Sequence, residues 1–396
     1  MFEKLDEIVE QMTTIRRDIH AHPELAFQES RTAKIVAEHL KSLGFDEVHE
    51  GLAVTGVVGL LKGNRPGRRI GLRADMDALP LSENNQFDYK SKTEGKMHAC
   101  GHDGHTAILL GAASVLAASR EFEGEALFVF QPAEEGEGGA AKMIEEGLFN
   151  RWPCDAFFGV HNMPGVELDH YGVKSGPVSA SSDDFEIIIQ GMGGHAAWPE
   201  KAKNPIMVLS QLLAEVSELQ QRLQKEPEVA ILTVTQAHAG TTFNIIPNQA
   251  IITGTARALS HDMRKKLEVE LKASVARVSE NTGFEIDVKY HKLYAPTINS
   301  ERETNYCLAV ADQVFGPQKV IREFPPMMGS EDFSAFLEVI PGAYGFVGNG
   351  PGVGGCHLHN PDYDFNDGAL PSSITYFVEL VRNFSQIESM ASSAVK

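Results

Sequence analysis

Apolar residues Leu5, Ile8, Val9, Met12, Ile15 and Ile19 recur at three- and four-residue spacing, which predicts a helix with one buried face. His22-Pro23 ends that pattern, because proline lacks an N–H and biases the residue before it away from helix. A second helix is expected over residues 30–43. Short apolar runs at 54–61, 69–74, 126–130 and 156–160 then read as strands. Helical or glycine-rich segments separate them, including an Ala- and Leu-rich helix over 104–118. This alternation predicts an α/β domain with a sheet flanked by helices.

After Ser179-Ala-Ser-Ser182 the texture changes. The pattern predicts a strand at 184–190, a helix at 204–222, strands at 230–238 and 249–258, a helix at 262–281 and a strand at 284–290. Strand, helix, strand, strand, helix, strand is the order of the split βαβ, ferredoxin-like arrangement, with two helices on one face of an antiparallel sheet. An inserted α+β module at 183–295 is therefore expected. Residues 1–182 and 296–396 would form the two parts of the domain that carries it.

Composition narrows the classes. A chain of 396 residues exceeds what one core usually serves, and 42% apolar content is that of a globular protein. A formal charge of -19 argues against nucleic-acid or anionic-membrane partners, which would repel it at long range. No stretch reaches the roughly 18 apolar residues of a membrane span. Cysteines at 100, 154, 307 and 356 show no paired spacing, and Met1-Phe-Glu-Lys-Leu-Asp has neither the basic nor the apolar region of a leader. A reducing cytoplasm is the expected compartment, so the Asn383-Phe-Ser385 sequon reads as accidental.

The candidate chemistry starts at His98-Ala-Cys100-Gly-His102-Asp-Gly-His105 and Glu134-Glu135. Cys100 and His102 sit in a glycine-containing loop just before a helix, where both side chains could aim at one point. Alone, such a pair is also what a buried thiol beside a surface imidazole looks like. Its weight comes from company. Glu134-Glu135 follows the strand at 126–130, His161 follows another strand, and His357-Leu-His359 lies near the C-terminus. One glutamate could complete a metal shell while its neighbour takes a proton from the attacking water. Asp75 and Asp77, two apart at a strand end, share a face and could orient ligand imidazoles. His195, flanked by Gly193-Gly194, could donate to a developing oxyanion. Gly136-Glu-Gly138-Gly-Ala-Ala141 formally fits a dinucleotide fingerprint, but its carboxylates would face a pyrophosphate. Those glycines more plainly let the backbone pass close to a metal site.

Taken together, the motifs resemble those of the aminoacylase-type metallopeptidases, in the amidohydrolase branch of hippurate hydrolases, N-acyl-L-amino acid amidohydrolases and auxin-conjugate hydrolases. The motifs are His22-Pro-Glu24-Leu, Leu72-Arg-Ala-Asp75-Met-Asp77, Met97 to His105, Gln131-Pro-Ala-Glu134-Glu135-Gly, Gly194-His195-Ala, Asn244-Ile-Ile-Pro247, Met328-Gly-Ser-Glu331-Asp-Phe and Leu358-His359-Asn-Pro. The resemblance implies a catalytic domain interrupted by a lid that also dimerises. It implies that Cys100, His102, Glu135, His161 and His359 bind two divalent metal ions, and that Glu134 is the general base. It further implies that His195 acts at the partner subunit's site and that Asn244 and Arg257 hold substrate. Gly368 stands where many relatives carry an acid, at a position with no assigned role.

Five candidate ligands exceed one catalytic zinc site, which agrees with two metals; the donor set admits zinc, cobalt or manganese. The expected activity is hydrolysis of an N-acyl amino acid, with a planar Arg257 fork on the substrate carboxylate. Dipeptidase or N-acetyl-amino-acid deacetylase activity is the nearest alternative, and a non-catalytic metal-binding protein on the same fold is the alternative from another class. Trp198 and Phe243 would suit an aromatic acyl group or serve as core packing.

Overall fold

The computed structural model describes residues 2–351 and 356–394, which form two compact units. Among the described residues the first comprises 2–178, 298–325, 332–351 and 356–394, and the second 179–297 and 326–331. The short return at 326–331 lies outside the single continuous insertion expected from the pattern.

The first unit is built on an eight-stranded mixed sheet. Its strands are β1 (Glu47–Leu52), β2 (Gly56–Lys62), β3 (Arg65–Asp75), β4 (Glu123–Gln131) and β5 (Ala156–Met163), with Tyr171–Gly172, Val320–Ile321 and Gly342–Gly348. The central order is β1-β2-β4-β3-β5, followed by Gly342–Gly348. β3 runs parallel to both β4 and β5. Register places Asp75 opposite Gln131 and Arg73 opposite Gly159, so the carboxyl ends of these strands share one edge. Burial along β3 rises from exposed Arg65 to fully enclosed Asp75, which puts that edge inside the protein. Open α/β sheets present their sites at such an edge.

The strand expected over 54–61 begins instead at Gly56. Ala53 and Val54 adopt positive φ (50° and 75°) and turn β1 into β2. β1 was not predicted, because its residues are mostly exposed or half-buried and give no apolar run.

Helix α1 (Phe2–Ala21) buries Met12 and Ile19, as its spacing predicts. Helix α2 (Ser30–Ser42) buries Val36, Ala37 and Leu40. Helix α3 (His102–Ser119) is enclosed almost throughout, consistent with its small, apolar sequence. Gly111 lets the helix at Leu370–Asn383 approach it: a Cβ there would stand 2.4 Å from Ile374.

The second unit has a four-stranded antiparallel sheet, in the order Ala230–Ala239, Gln249–Ala258, Ser182–Gln190, Glu285–Tyr294. Helices Pro205–Leu223 and His261–Thr282 pack on it through Leu212, Leu219, Leu267 and Leu271. This is the ferredoxin-like order the pattern predicts. The Asn204 side chain accepts the Ile206 N–H and Ser260 accepts the Met263 N–H, starting the helices where their sequences expect.

Candidate metal centre

Gly101 has φ 93° and starts α3, which frees the loop to bring Cys100 and His102 to one side. A side chain at Gly101 would stand 2.2 Å from the Asn162 amide. That amide donates to the Cys100 carbonyl at 2.7 Å, and the Tyr363 hydroxyl donates to the Asn162 oxygen at 2.6 Å. The loop is thus clamped from β5. At the end of β4, Gly139 packs where a Cβ would lie 1.7 Å from the Pro132 carbonyl. Gly139 therefore serves close backbone passage, whereas Gly136, with φ 87° and open space around it, and Gly138, with φ 71°, serve the turn.

Three sets of ligand atoms, each within 4.8 Å of one another, overlap here: Cys100, His102 and His161; Cys100, Glu135 and His359; His102, Glu134 and Glu135. The structure therefore gathers all five expected ligands and Glu134 in the first unit. His359 enters from the C-terminal segment with φ 62°, its N–H donating to the Ala99 carbonyl at 2.8 Å. Its Nε2 stands 3.2 Å from Glu135 Oε1. His357 is exposed and belongs to none of the ligand sets among the described residues.

Outer partners decide which nitrogens are available. His102 Nδ1 lies 2.9 Å from the Asp77 carbonyl and 3.2 Å from its carboxylate, so Nδ1 carries a proton. His102 Nε2 is buried with no hydrogen-bond partner. His161 Nδ1 donates to the Asn162 carbonyl at 2.6 Å, and its Nε2 faces the Cys100 sulfur at 3.4 Å. A buried imidazole nitrogen with no hydrogen-bond partner, 3.6 Å from Asp75 Oδ2 and beside a thiol, fits a bound cation. His105 is committed on both sides: Nδ1 donates to Asp75 at 2.6 Å and Nε2 accepts the Asn162 N–H at 2.9 Å. It supports the centre and has no lone pair to give. His98, at the head of the same motif, is enclosed away from it, 6.3 Å from the His20 ring.

The electrostatics point the same way. Burial, then Glu135, Glu134 and Asp75, push the Cys100 thiol far above its usual range. Burial alone would lower His102, but Asp75, Asp77 and Glu135 outweigh it and push its pKa up to about 10. Burial, with His105 and His102 nearby, lowers His161. Asp75 resists the upward pull of burial because Arg73, His102 and His105 hold it well below the usual carboxylate range. A cation among these groups would reverse the thiol's shift and neutralise the carboxylates.

Two residues of the centre were not anticipated. The Asp332 N–H donates to Glu134 Oε1 at 3.4 Å, and the Asp332 carboxylate accepts from Arg73 (3.1 Å), Gln131 (2.8 Å) and the Ala140 N–H (2.9 Å). Asp332 sits within the Met328-Gly-Ser-Glu331-Asp-Phe motif, the signal that could have found it. Asn162 follows His161 directly, and nothing in its type or spacing announced its role.

In the second unit, His195 pairs with Ile245 across a two-stranded ladder, and the Ala196 N–H donates to the Asn244 carbonyl at 3.0 Å. These two expected substrate residues are therefore neighbours. Arg257 lies apart on strand Gln249–Ala258, donating to the Thr255 hydroxyl and to the Ala256 carbonyl. Trp198 is 54% exposed and Phe243 fully so, which removes the core-packing alternative for both. Trp198 lies beside the His195 ring, centroids 4.7 Å apart.

A mixed sheet whose buried edge gathers thiol, imidazole and carboxylate donors beside a second glutamate defines a metal-dependent hydrolase. The comparisons give the family: a sequence model of peptidase family M20/M25/M40 matches residues 71–383, and the chain belongs to that family. It is 42% identical over 370 residues to hippurate hydrolase of Campylobacter jejuni, covering 93% of this chain and 95% of that protein. It is 38% identical to thermostable carboxypeptidase 1 of Saccharolobus solfataricus, covering 91% of each. The crystal structure of the Bacillus subtilis YXEP protein, a dinuclear metal-binding M20 peptidase, superposes with a TM-score of 0.85 at 31% identity, covering 96% of this chain and 99% of that one. The protein is a metal-dependent amidohydrolase of this family. No helix among the described residues is long and apolar enough to cross a membrane.

Proposed function

We propose that this protein hydrolyses the amide bond of N-acyl-L-amino acids, releasing a carboxylic acid and a free amino acid, with hippurate-like substrates preferred. The observation that carries the reading is the grouping of buried Glu134 with Glu135 and a His102 nitrogen that has no hydrogen-bond partner. Cys100, His102, Glu135, His161 and His359 would hold two divalent cations, drawn from zinc, manganese or cobalt. When bound, the cations supply Lewis acidity to the scissile carbonyl and acidify a water. Glu134 takes the proton from the attacking water and returns it to the leaving amine. Asp332 orients Glu134 through its N–H, while Asp77 and the Asn162 carbonyl hold the Nδ1 protons of the two buried imidazoles, so that a cation would meet Nε2 of each.

The inserted unit acts as lid and dimerisation domain in this reading. His195 donates to the oxygen of the tetrahedral intermediate in the partner subunit, Asn244 and Arg257 hold the substrate, and exposed Trp198 stacks on an aromatic acyl group. A small-molecule acyl amino acid is the partner, in a homodimer. Gel filtration tests the dimer: a stable, active monomer would exclude His195 acting across subunits.

The first test is release of free amino acid from benzoyl-, acetyl- and indoleacetyl-amino acids and from dipeptides, after chelation and reloading with each metal. Metal-dependent preference for benzoyl-amino acids is the expected outcome. Dipeptide preference would favour the peptidase reading, which the 38% identity to a carboxypeptidase supports. Glu134→Gln is expected to slow turnover by roughly two to four orders of magnitude with metal still bound, and a nearly active variant would overturn its assignment.

A further inference from the structure

Glu29 is fully buried between α2 and the β4 edge, and none of the assigned roles uses it. Its carboxylate accepts the Phe27 N–H at 3.0 Å, the Thr55 hydroxyl at 2.5 Å and the Ala133 N–H at 2.9 Å. Among the described residues no cationic side chain pairs with it, and burial pushes its pKa up to about 7.

The Ala133 bond matters because of where it falls. Ala133 has φ 56°, a left-handed conformation that a residue with a Cβ adopts only when its surroundings hold it there. Both of its peptide groups are held: Glu29 takes the N–H, and the Gly139 N–H donates to the carbonyl at 2.9 Å. The next residue is Glu134. The chain thus reverses at Ala133, and this reversal brings the Glu134 carboxylate to the Asp332 N–H and into the set with His102 and Glu135. Without the Glu29 acceptor, Ala133 could relax to negative φ, which would swing the following residue.

We propose that Glu29 is a positioning residue for the reaction: by holding the Ala133 N–H, it keeps the left-handed turn that aims the Glu134 carboxylate at the metal cluster. The inference rests on the reading of Glu134 as the proton carrier. A displacement of about 1 Å in a reacting group costs up to about a hundredfold in rate, which sets the scale of the effect.

The test compares kcat, KM, bound metal and Tm for Glu29→Ala, Glu29→Gln, the double variant Glu29→Ala/Ala133→Gly, and Glu134→Gln. Glu29→Ala is expected to lower kcat about ten- to hundredfold, with KM and metal content unchanged. Glu29→Gln should keep kcat within about threefold, since its amide oxygen still accepts the Ala133 N–H. Ala133→Gly should restore much of the kcat lost in Glu29→Ala, because glycine enters positive φ without support. A merely structural Glu29 would lower Tm without any such rescue. If Glu29→Ala does not fold, Glu29→Asp, which draws the carboxylate back by one methylene, carries the same comparison with and without Ala133→Gly. Wild-type kcat in Glu29→Ala, or a loss that Ala133→Gly leaves in place, would overturn the proposal. Retained activity in Glu134→Gln would instead overturn the reading of the base, so the two failures are distinguishable.

Discussion

Asp77 is 1% exposed, and its two oxygens serve two of the proposed metal ligands at once. Oδ1 lies 3.2 Å from His102 Nδ1, and Oδ2 accepts the Glu135 N–H at 2.9 Å. Both neighbours are donors. Asparagine offers one acceptor and one donor in the same space, so in Asp77→Asn one of the two N–H groups must face an NH2. Leaving a buried donor unanswered costs about 1–3 kcal/mol. His102 retains the Asp77 main-chain carbonyl at 2.9 Å, which favours turning the amide oxygen toward Glu135 and keeps the loss within that range. The strain falls on ligands either way, so it should appear in metal affinity, where outer partners of this kind contribute about 10- to 100-fold. That is about 1.4–2.8 kcal/mol, the same scale reached independently from the unpaired donor. Competition against a chromophoric chelator, with zinc and with manganese, measures it directly. Wild-type affinity to within about threefold in a folded Asp77→Asn would refute the claim that Asp77 tunes these ligands.

Three further outcomes follow from the same geometry. His20 is buried against Asp103 at 2.8 Å, and although burial alone would lower its pKa, Asp103 and Glu83 push it up to about 9. A raised folded pKa stabilises fully below the unfolded value of about 6.5 and is lost as pH rises through 9, so the Tm gap between wild type and His20→Gln should narrow over that window; a constant gap would count against a charged His20. Arg257→Ala should raise KM for carboxylate substrates far more than for the corresponding amides, and equal effects on both would remove Arg257 from the carboxylate. Chelation should lower Tm in a metal-concentration-dependent way, since a cation at about 100 times its Kd stabilises by about 2.7 kcal/mol; a Tm indifferent to chelator would mean that the buried donors are not a metal centre.

Much of the architecture was legible because it depends on periodicity. The α1 stripe of Met12 and Ile19 and the strand-helix order of the second unit are local patterns that burial bears out. What escaped depends on contacts distant in sequence. β1 carries polar, half-exposed residues and exists because it pairs with β2, which no apolar run announces. Asp332 lies 201 residues from Gln131, and only the fold shows that its acid belongs with Arg73 while its N–H belongs with Glu134.

The motif from His98 to His105 shows the limit most clearly. It contains a cysteine and three histidines, all types a metal accepts, and spacing alone does not rank them. Their partners do. His105 spends one nitrogen on Asp75 and the other on the Asn162 N–H, and His98 is enclosed beside His20. His102 hydrogen-bonds only through Nδ1, to Asp77, and its Nε2 has no hydrogen-bond partner, lying 3.6 Å from Asp75. Cys100 is left facing His161, Glu135 and His359. Selection among the candidate ligands within the motif is thus made by Asp75 at the end of β3, Asp77 two residues beyond it and Asn162 on β5, which lie at one edge of the sheet. Residue types make the metal chemistry available; the register of strands far apart in sequence decides which nitrogens and sulfur are free to take part.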